Sequence, residues 1–387
     1  MPHQSIVARI ARVGDASDER RITVLDGWRG VSILLVVCGH LINYRYAPAY
    51  FASGGPAQSL VLTVSVFGVC IFFVISGLII TTLAIREREQ RGSFSARSFY
   101  LRRFFRIVPP FYLYLAIVLL LASSGVIGHR KSETLGAAAF LCNLPQVECG
   151  WFVAHSWSLA YEEQFYVLFP CWFILCGKRV RPLLMALLSA LLAVPVMRYV
   201  LGPTPMWHAI HQLTWYFSFM AAGSLVAASA DWMQKLNRSV YAPYLSWGAA
   251  FVLLVLILFD GAAAAHPGAH RLEQVHVILS PVFEPLCTAW LVGTSLQRAN
   301  WMTRLLHARP LLFLGTISYS LYLWQQLFTA APSRYLLSSP LPLAPMMLVC
   351  ATLSYYFVER PAQRLGKQAV RVLLNAPRLR RAMALGG

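Results

Sequence analysis

The chain alternates between long apolar runs and short basic stretches. Ten runs are long enough to cross a hydrocarbon core of about 30 Å, which takes ~20 helical residues each. They cover 24–44, 60–85, 108–127, 152–176, 182–201, 212–230, 241–260, 275–297, 311–331 and 341–358. The apolar piece 135–144 is too short to cross and is expected to form a surface or re-entrant helix. The pattern predicts an all-α polytopic integral membrane protein, because only intra-segment hydrogen bonding satisfies ten separate apolar backbones in lipid. Pro109-Pro110 is expected to open the third run, since proline is tolerated at a helix start. The segment 99–106 before it mixes aromatics with arginines and reads as an amphipathic piece at the inner interface. A weaker version covers 371–381, and no internal repeat is visible.

Composition sharpens this picture. Of the 387 residues, 58% are hydrophobic and 12% charged, where a soluble domain carries about a quarter charged. No polar stretch is long enough to fold alone. The net charge of +18 could suit nucleic acid, but the cations flank apolar runs instead of gathering on one polar domain. With the N-terminus inside, 26 of the 33 Lys and Arg fall in inner segments, six fall in outer ones, and Arg29 lies within the first run. That asymmetry predicts cytoplasmic termini and cationic loops resting on anionic headgroups of a bacterial inner membrane. The expected organisation is a basic tail at 1–21, a transmembrane domain at 22–365 and a basic tail at 366–387. The first run is long enough to be expected as a retained anchor. Six cysteines fall in apolar runs and read as small buried hydrophobes. Cys142 and Cys149 bracket a short outer segment, where a disulfide and two free thiols are both open readings.

Polar groups inside the runs are costly and mark candidate chemistry. Arg29 and His40 stand eleven residues apart, so on a helix they share a face about 16 Å apart. Histidine is the usual general base for a hydroxyl near neutral pH. The plainer alternative has Arg29 reaching the inner headgroups and His40 bonding a neighbouring helix. Arg103 and Arg106, at i and i+3, share a face at the expected inner surface and suit a phosphate-bearing ligand, or simply anionic lipid. His155, Trp157, Ser158, Glu162 and Glu163 open the fourth run. Two adjacent carboxylates there call for a polar cavity or a cationic partner such as Arg29. Glu284, between Pro281 and Pro285, is a further intramembrane charge. Asp260 is read as a helix-end charge that needs no special account. The pairs His208/His211 and His266/His270 lack companion ligands, so no metal site is expected.

These pieces together resemble the membrane-bound acyltransferase-3 family. Leu25-Asp26-Gly27-Trp28-Arg29-Gly30 resembles its opening signature, with Arg29-x10-His40 as its first-helix motif. Phe73-Val74-Ile75-Ser76-Gly77-Leu78-Ile79 and the Arg103-x-x-Arg106 stretch ending in Pro109-Pro110 are similar to its next two motifs. His155-Ser156-Trp157-Ser158-Leu159 to Tyr166, Ile317 to Trp324, and Phe357-Val358-Glu359-Arg360-Pro361 match the later ones. Gln325 stands where the family often has histidine.

The resemblance implies O-acyl transfer, usually from cytoplasmic acetyl-coenzyme A, to a hydroxyl of a cell-surface polysaccharide or its lipid-linked precursor. It implies Arg29, Arg103 and Arg106 as coenzyme A contacts and His40 as base, with Glu162 or Glu163 orienting it. His155, Trp157 and Ser158 become candidate substrate contacts. Acylation of a small glycosylated metabolite such as a macrolide stays open. So does a transporter, although no inverted repeat supports one.

Overall fold

Apolar runs joined by short polar links fold as helices throughout the described residues. The computed structural model describes residues 23–46, 55–201, 205–266, 269–297, 301–335 and 343–385. Among the described residues there is no strand, only one isolated antiparallel bridge between Ile127 and Tyr335. The expected tail at 1–21 lies outside them. Two compact units divide the chain, Met1–Gly92 with Cys176–Ser318, and Ser93–Leu175 with Tyr319–Gly387.

The first unit begins with α1 (Thr23–His40), which widens into a π-helical turn at Leu41–Tyr46. α2 (Pro56–Arg91) runs 36 residues, beyond both ends of its expected run, and stops at Gly92 in the left-handed region. α7 (Val180–Leu201), α8 (Pro205–Ala228), α9 (Ala230–Asn237), α10 (Ala242–Ala265) and α11 (His270–Ser295) follow the four connecting helices of the other unit. Two short helices, α12 (Trp301–Leu306) and α13 (Arg309–Thr316), close it. α2 is the hub, packing on α1, α8 and α10. α1 lies directly on α13. A Cβ on Gly30 would collide with the Leu311 carbonyl, and one on Gly315 with the Asp26 carbonyl. Only glycine lets the two backbones approach this closely.

The second unit holds α3 (Ala96–Ser123), α4 (Lys131–Ala138), α5 (Trp151–Ala154) and α6 (Ser156–Cys176). It ends with α14 (Ser318–Phe328), α15 (Leu343–Ser354), a π-helical turn at Tyr355–Glu359 and α16 (Arg360–Leu385). α3 corrects one expectation. It starts at Ala96, capped by the Ser95 hydroxyl accepting from the Ser98 N–H at 3.2 Å. Pro109 and Pro110 therefore lie inside a continuous helix, and 99–106 forms its first turns instead of a separate interfacial piece. α16 lies along α3 there, and the Tyr319 hydroxyl donates to the Ile107 carbonyl at 2.8 Å, two residues before the prolines. The expected boundary at 366 also falls within one helix, α16.

Among the described residues, five helices are long and apolar enough to cross a membrane: Thr23–Tyr44, Pro56–Arg91, Ala96–Ser123, Ala242–Ala265 and His276–Ser295. A sixth follows if Ile210–Ala228 and Ala230–Asn237, bent by 79°, form one span. The protein is thus a multi-pass, all-helical membrane protein. The ninth expected run is broken at Ile317 into α13 and α14. α6 is helical as expected, but Glu162, Glu163 and Gln164 dilute its apolar character.

The expected short helix at 135–144 is α4, displaced toward its polar start. After it, Cys142 and Cys149 form a disulfide with a Cα–Cα distance of 5.8 Å. Beneath that loop the buried His129 ring lies 2.9 Å from Glu133 and bonds the Thr134 hydroxyl at 2.8 Å. Burial presses the His129 imidazole below its ordinary value and outweighs the attraction of Glu133. Burial alone would raise the Glu133 carboxyl. Hydrogen bonds from Arg130 and the charges of His129 and Arg130 overcome it and hold the carboxyl below the usual range.

Candidate active site

In the first unit, one uninterrupted helix carries both Arg29 and His40, so their expected spacing of about 16 Å on one face holds. Arg29 pairs with Asp26 one turn earlier at 3.3 Å. Asp26 is itself buried in the first turn of α1, where a carboxylate also meets the positive end of the helix dipole. Trp28, between them, is anchored by its indole N–H to the Ser295 hydroxyl at 2.9 Å. At the other end of α1 the half-buried His40 ring leans on Tyr44, with centroids 5.8 Å apart. The cation and the imidazole are thus held by different neighbours on one rod.

In the second unit, the Arg103 guanidinium does not lie at a surface, as its spacing with Arg106 suggested. It is buried over the Tyr166 ring at 4.6 Å and donates to the Tyr166 hydroxyl at 3.2 Å. Tyr166 in turn donates to the Glu162 carboxylate. The reason is packing: α3 and α6 press Phe99, Phe169 and Phe173 into stacked contact, and Arg103 fills the polar gap in that aromatic wall. Arg106 is half-buried and is an electrostatic neighbour of Arg103, Tyr166 and Tyr319. Glu163 points elsewhere, as expected of the adjacent position, and its Oε1 is buried without a hydrogen-bond partner.

His155 sits at the α5–α6 junction, 3% exposed, with its ring between Tyr114 at 5.3 Å and Tyr322 at 5.4 Å. Its carbonyl accepts from the Tyr322 hydroxyl at 2.8 Å, and Ser158 Oγ lies 2.6 Å from the same hydroxyl. His155 and Ser158 therefore come together as expected, on a tyrosine from α14. Trp157 turns away from them and meets Tyr161 edge-on at 5.9 Å. Gln325 is fully buried. It donates to Gln326 at 3.1 Å, and Gln326 donates to the Trp151 carbonyl at 2.8 Å. Glu359, at the end of the second π-helical turn, accepts from Ser320 at 2.7 Å and from Gln363 at 3.0 Å.

One constellation was missed. Asp260 is no helix-end charge: α10 continues to Ala265 and buries it. It accepts from Ser280 at 2.6 Å and lies 2.7 Å from His276 Nδ1, with Glu284 an electrostatic neighbour. His276, Ser280 and Glu284 recur every four residues on α11, a polar stripe that the sequence displays. Among the described residues no cluster of three or more His, Cys, Asp or Glu could hold a metal ion. The side chains of His208 and His270 lie outside the described residues.

An all-helical membrane frame with a cation and an imidazole on its first helix defines a class that comparison with known proteins makes specific. The family model described as an acyltransferase domain matches residues 22–359, and the chain belongs to that family. It is 24% identical to the peptidoglycan O-acetyltransferase OatA of Listeria monocytogenes, over 88% of this chain and 56% of that protein. It is also 24% identical to the O-acetyltransferase OatA of Staphylococcus aureus, over 90% of this chain and 58% of that protein. The chain thus spans a little over half the length of these relatives. No solved structure matches it.

Proposed function

We propose that this chain is a membrane O-acyltransferase. It moves an acyl group, acetyl first of all, from coenzyme A on the cytoplasmic side to a hydroxyl of a cell-surface polysaccharide or its lipid-linked precursor. The observation that carries the reading is the acyltransferase family match over residues 22–359, with Arg29 and His40 inside it on one continuous helix. The two relatives named as O-acetyltransferases support the acetyl group, and the Listeria name supports a glycan acceptor. The ten-run topology with cytoplasmic termini and an inner-membrane location belong to the same proposal, carried by the Lys and Arg asymmetry.

His40 takes the proton of the acceptor hydroxyl as its oxygen attacks the thioester carbonyl carbon. The carbon–sulfur bond then breaks, and the thiolate leaves with the proton from the imidazolium. Arg29 in the first unit and Arg106 in the second are each candidate cations for the donor's phosphates. Arg103, spent on Tyr166, sets the register of Arg106 on α3, and Glu162 holds Tyr166 in place. Glu163 Oε1 and the His155–Ser158–Tyr322 group offer polar contacts to substrate, with Trp157 beside them.

Membrane vesicles given radiolabelled acetyl-coenzyme A test the reading. Label should enter the glycan fraction with the wild type. His40→Ala should cut incorporation by about 100-fold or more while the protein remains folded in the membrane. Unchanged incorporation in that variant ends the assignment of the base. Mass spectrometry of surface glycans from cells with and without the gene identifies the acceptor.

A further inference from the structure

Three residues beyond His40, the π-helical turn Leu41–Tyr46 carries Asn43. Its side chain is buried, 3% exposed, and neither Oδ1 nor Nδ2 has a hydrogen-bond partner. An amide so placed has lost its water and gained nothing in return, which is destabilising. On α2, the Ser65 hydroxyl packed on Gly39 is committed to the Leu35 carbonyl at 3.3 Å. Ile42 beside it is exposed and Leu41 half-buried, so the turn directs the one amide inward. π-helical turns inside helices recur at functional sites, because the extra residue re-aims a side chain.

Acyl transfer needs such a donor. When the hydroxyl attacks, the acyl carbonyl oxygen becomes an oxyanion, and a fixed N–H aimed at it lowers the barrier. His40 cannot serve, since it is receiving the hydroxyl proton. Arg29 lies about 16 Å away along the helix. We propose that Asn43 is a catalytic residue whose Nδ2 donates a hydrogen bond to the acyl carbonyl oxygen as the tetrahedral intermediate forms, next to the proton acceptor His40. The inference rests on the O-acyltransferase reading. The balance is that of the transfer itself: the oxygen–carbon bond forms, the carbon–sulfur bond breaks, and the hydroxyl proton passes through His40 to the thiolate. Asn43 gains and loses no proton.

The test uses Asn43→Leu, similar in shape but without polar atoms, in the full chain. Replacing an unsatisfied buried amide by an apolar group of its shape removes a desolvation cost. Asn43→Leu should therefore melt at a higher temperature than the wild type. Its incorporation of radiolabelled acetyl into vesicle glycan should nonetheless fall by about 100-fold or more, with binding of acetyl-coenzyme A unchanged within about twofold. Asn43→Ala, which likewise has no donor, should be equally slow, and it carries the test if the leucine variant does not accumulate. Wild-type incorporation in either variant means that the amide only fills space, and overturns the inference. If the wild type and His40→Ala incorporate equally, the parent reading has failed instead, which the same experiment separates by including both.

Discussion

Two buried polar networks can be set side by side, one in each unit. Arg103–Tyr166–Glu162 joins α3 to α6 inside an aromatic wall. Asp260–His276–Ser280, with Glu284 and the Trp215 ring against it, joins α10 to α11. Both satisfy charges that lipid would not tolerate alone. They differ in how the chain supplies them. The first draws two members from one dense motif and its cation from another. The second gathers Asp260, read as a helix-end charge, and Glu284, read as a lone intramembrane charge, with His276 and Ser280 that no motif marked. A polar group in a motif announces itself, whereas one paired across helices is visible only when the helices are placed.

Substitutions can sharpen the contrast. The largest effect should come from Arg103→Ala, which strands Tyr166 and Glu162 in the wall. A loss of about 3 kcal/mol is expected for one partner removed from a buried charge network, read as a lower melting temperature of purified protein. Arg103→Lys should recover only part of it, because an ammonium cannot stack on Tyr166 as a guanidinium does. Asp260→Ala should cost about 2 kcal/mol by leaving His276 and Ser280 unpaired. If it abolishes acetyl incorporation without lowering the melting temperature, the α10–α11 network is chemical instead of structural, and the comparison breaks.

The smallest effect is a pH response of the outer segment. The folded values of His129 and Glu133 lie below their ordinary values of 6.5 and 4.5. Each group therefore contributes stability fully above its ordinary value and loses it as pH falls through the folded one. Amide protection factors around α4, with the intrinsic pH dependence of exchange divided out, should thus fall as pH drops below about 6.5, and again below about 4.5. Protection factors that are flat over that range would sever the link to these two groups.

Much of the fold was legible because apolar length is a one-dimensional signal. The expected runs fall on helices, five or six of which among the described residues are long and apolar enough to cross, and Arg29 and His40 share a rod as their spacing required. The errors have physical causes. The seventh run was expected to end at 260, yet the alanines at 262–265 extend a helix readily, and so the charge was buried. The double proline looked like a beginning because local sterics favour that position, but tertiary packing carried α3 through it. The fate of Arg103 depended on which ring stood opposite, a fact of α6 and not of its own helix. Asn43 was invisible for a subtler reason: nothing in Leu41 to Tyr46 declares that the helix widens there. The disulfide was one of two readings and only its geometry decided between them.

The glycine contacts that seat α1 on α13 have a consequence for how α1 can move. Backbone on backbone, with no side chain between to slide or rotate, leaves the Arg29 end fixed like a post in masonry. The opposite end finishes in a wider coil, where Gly39 rests chiefly on the Ser65 side chain of α2. Any rearrangement that accompanies turnover should then pivot about the cation and be felt at the imidazole.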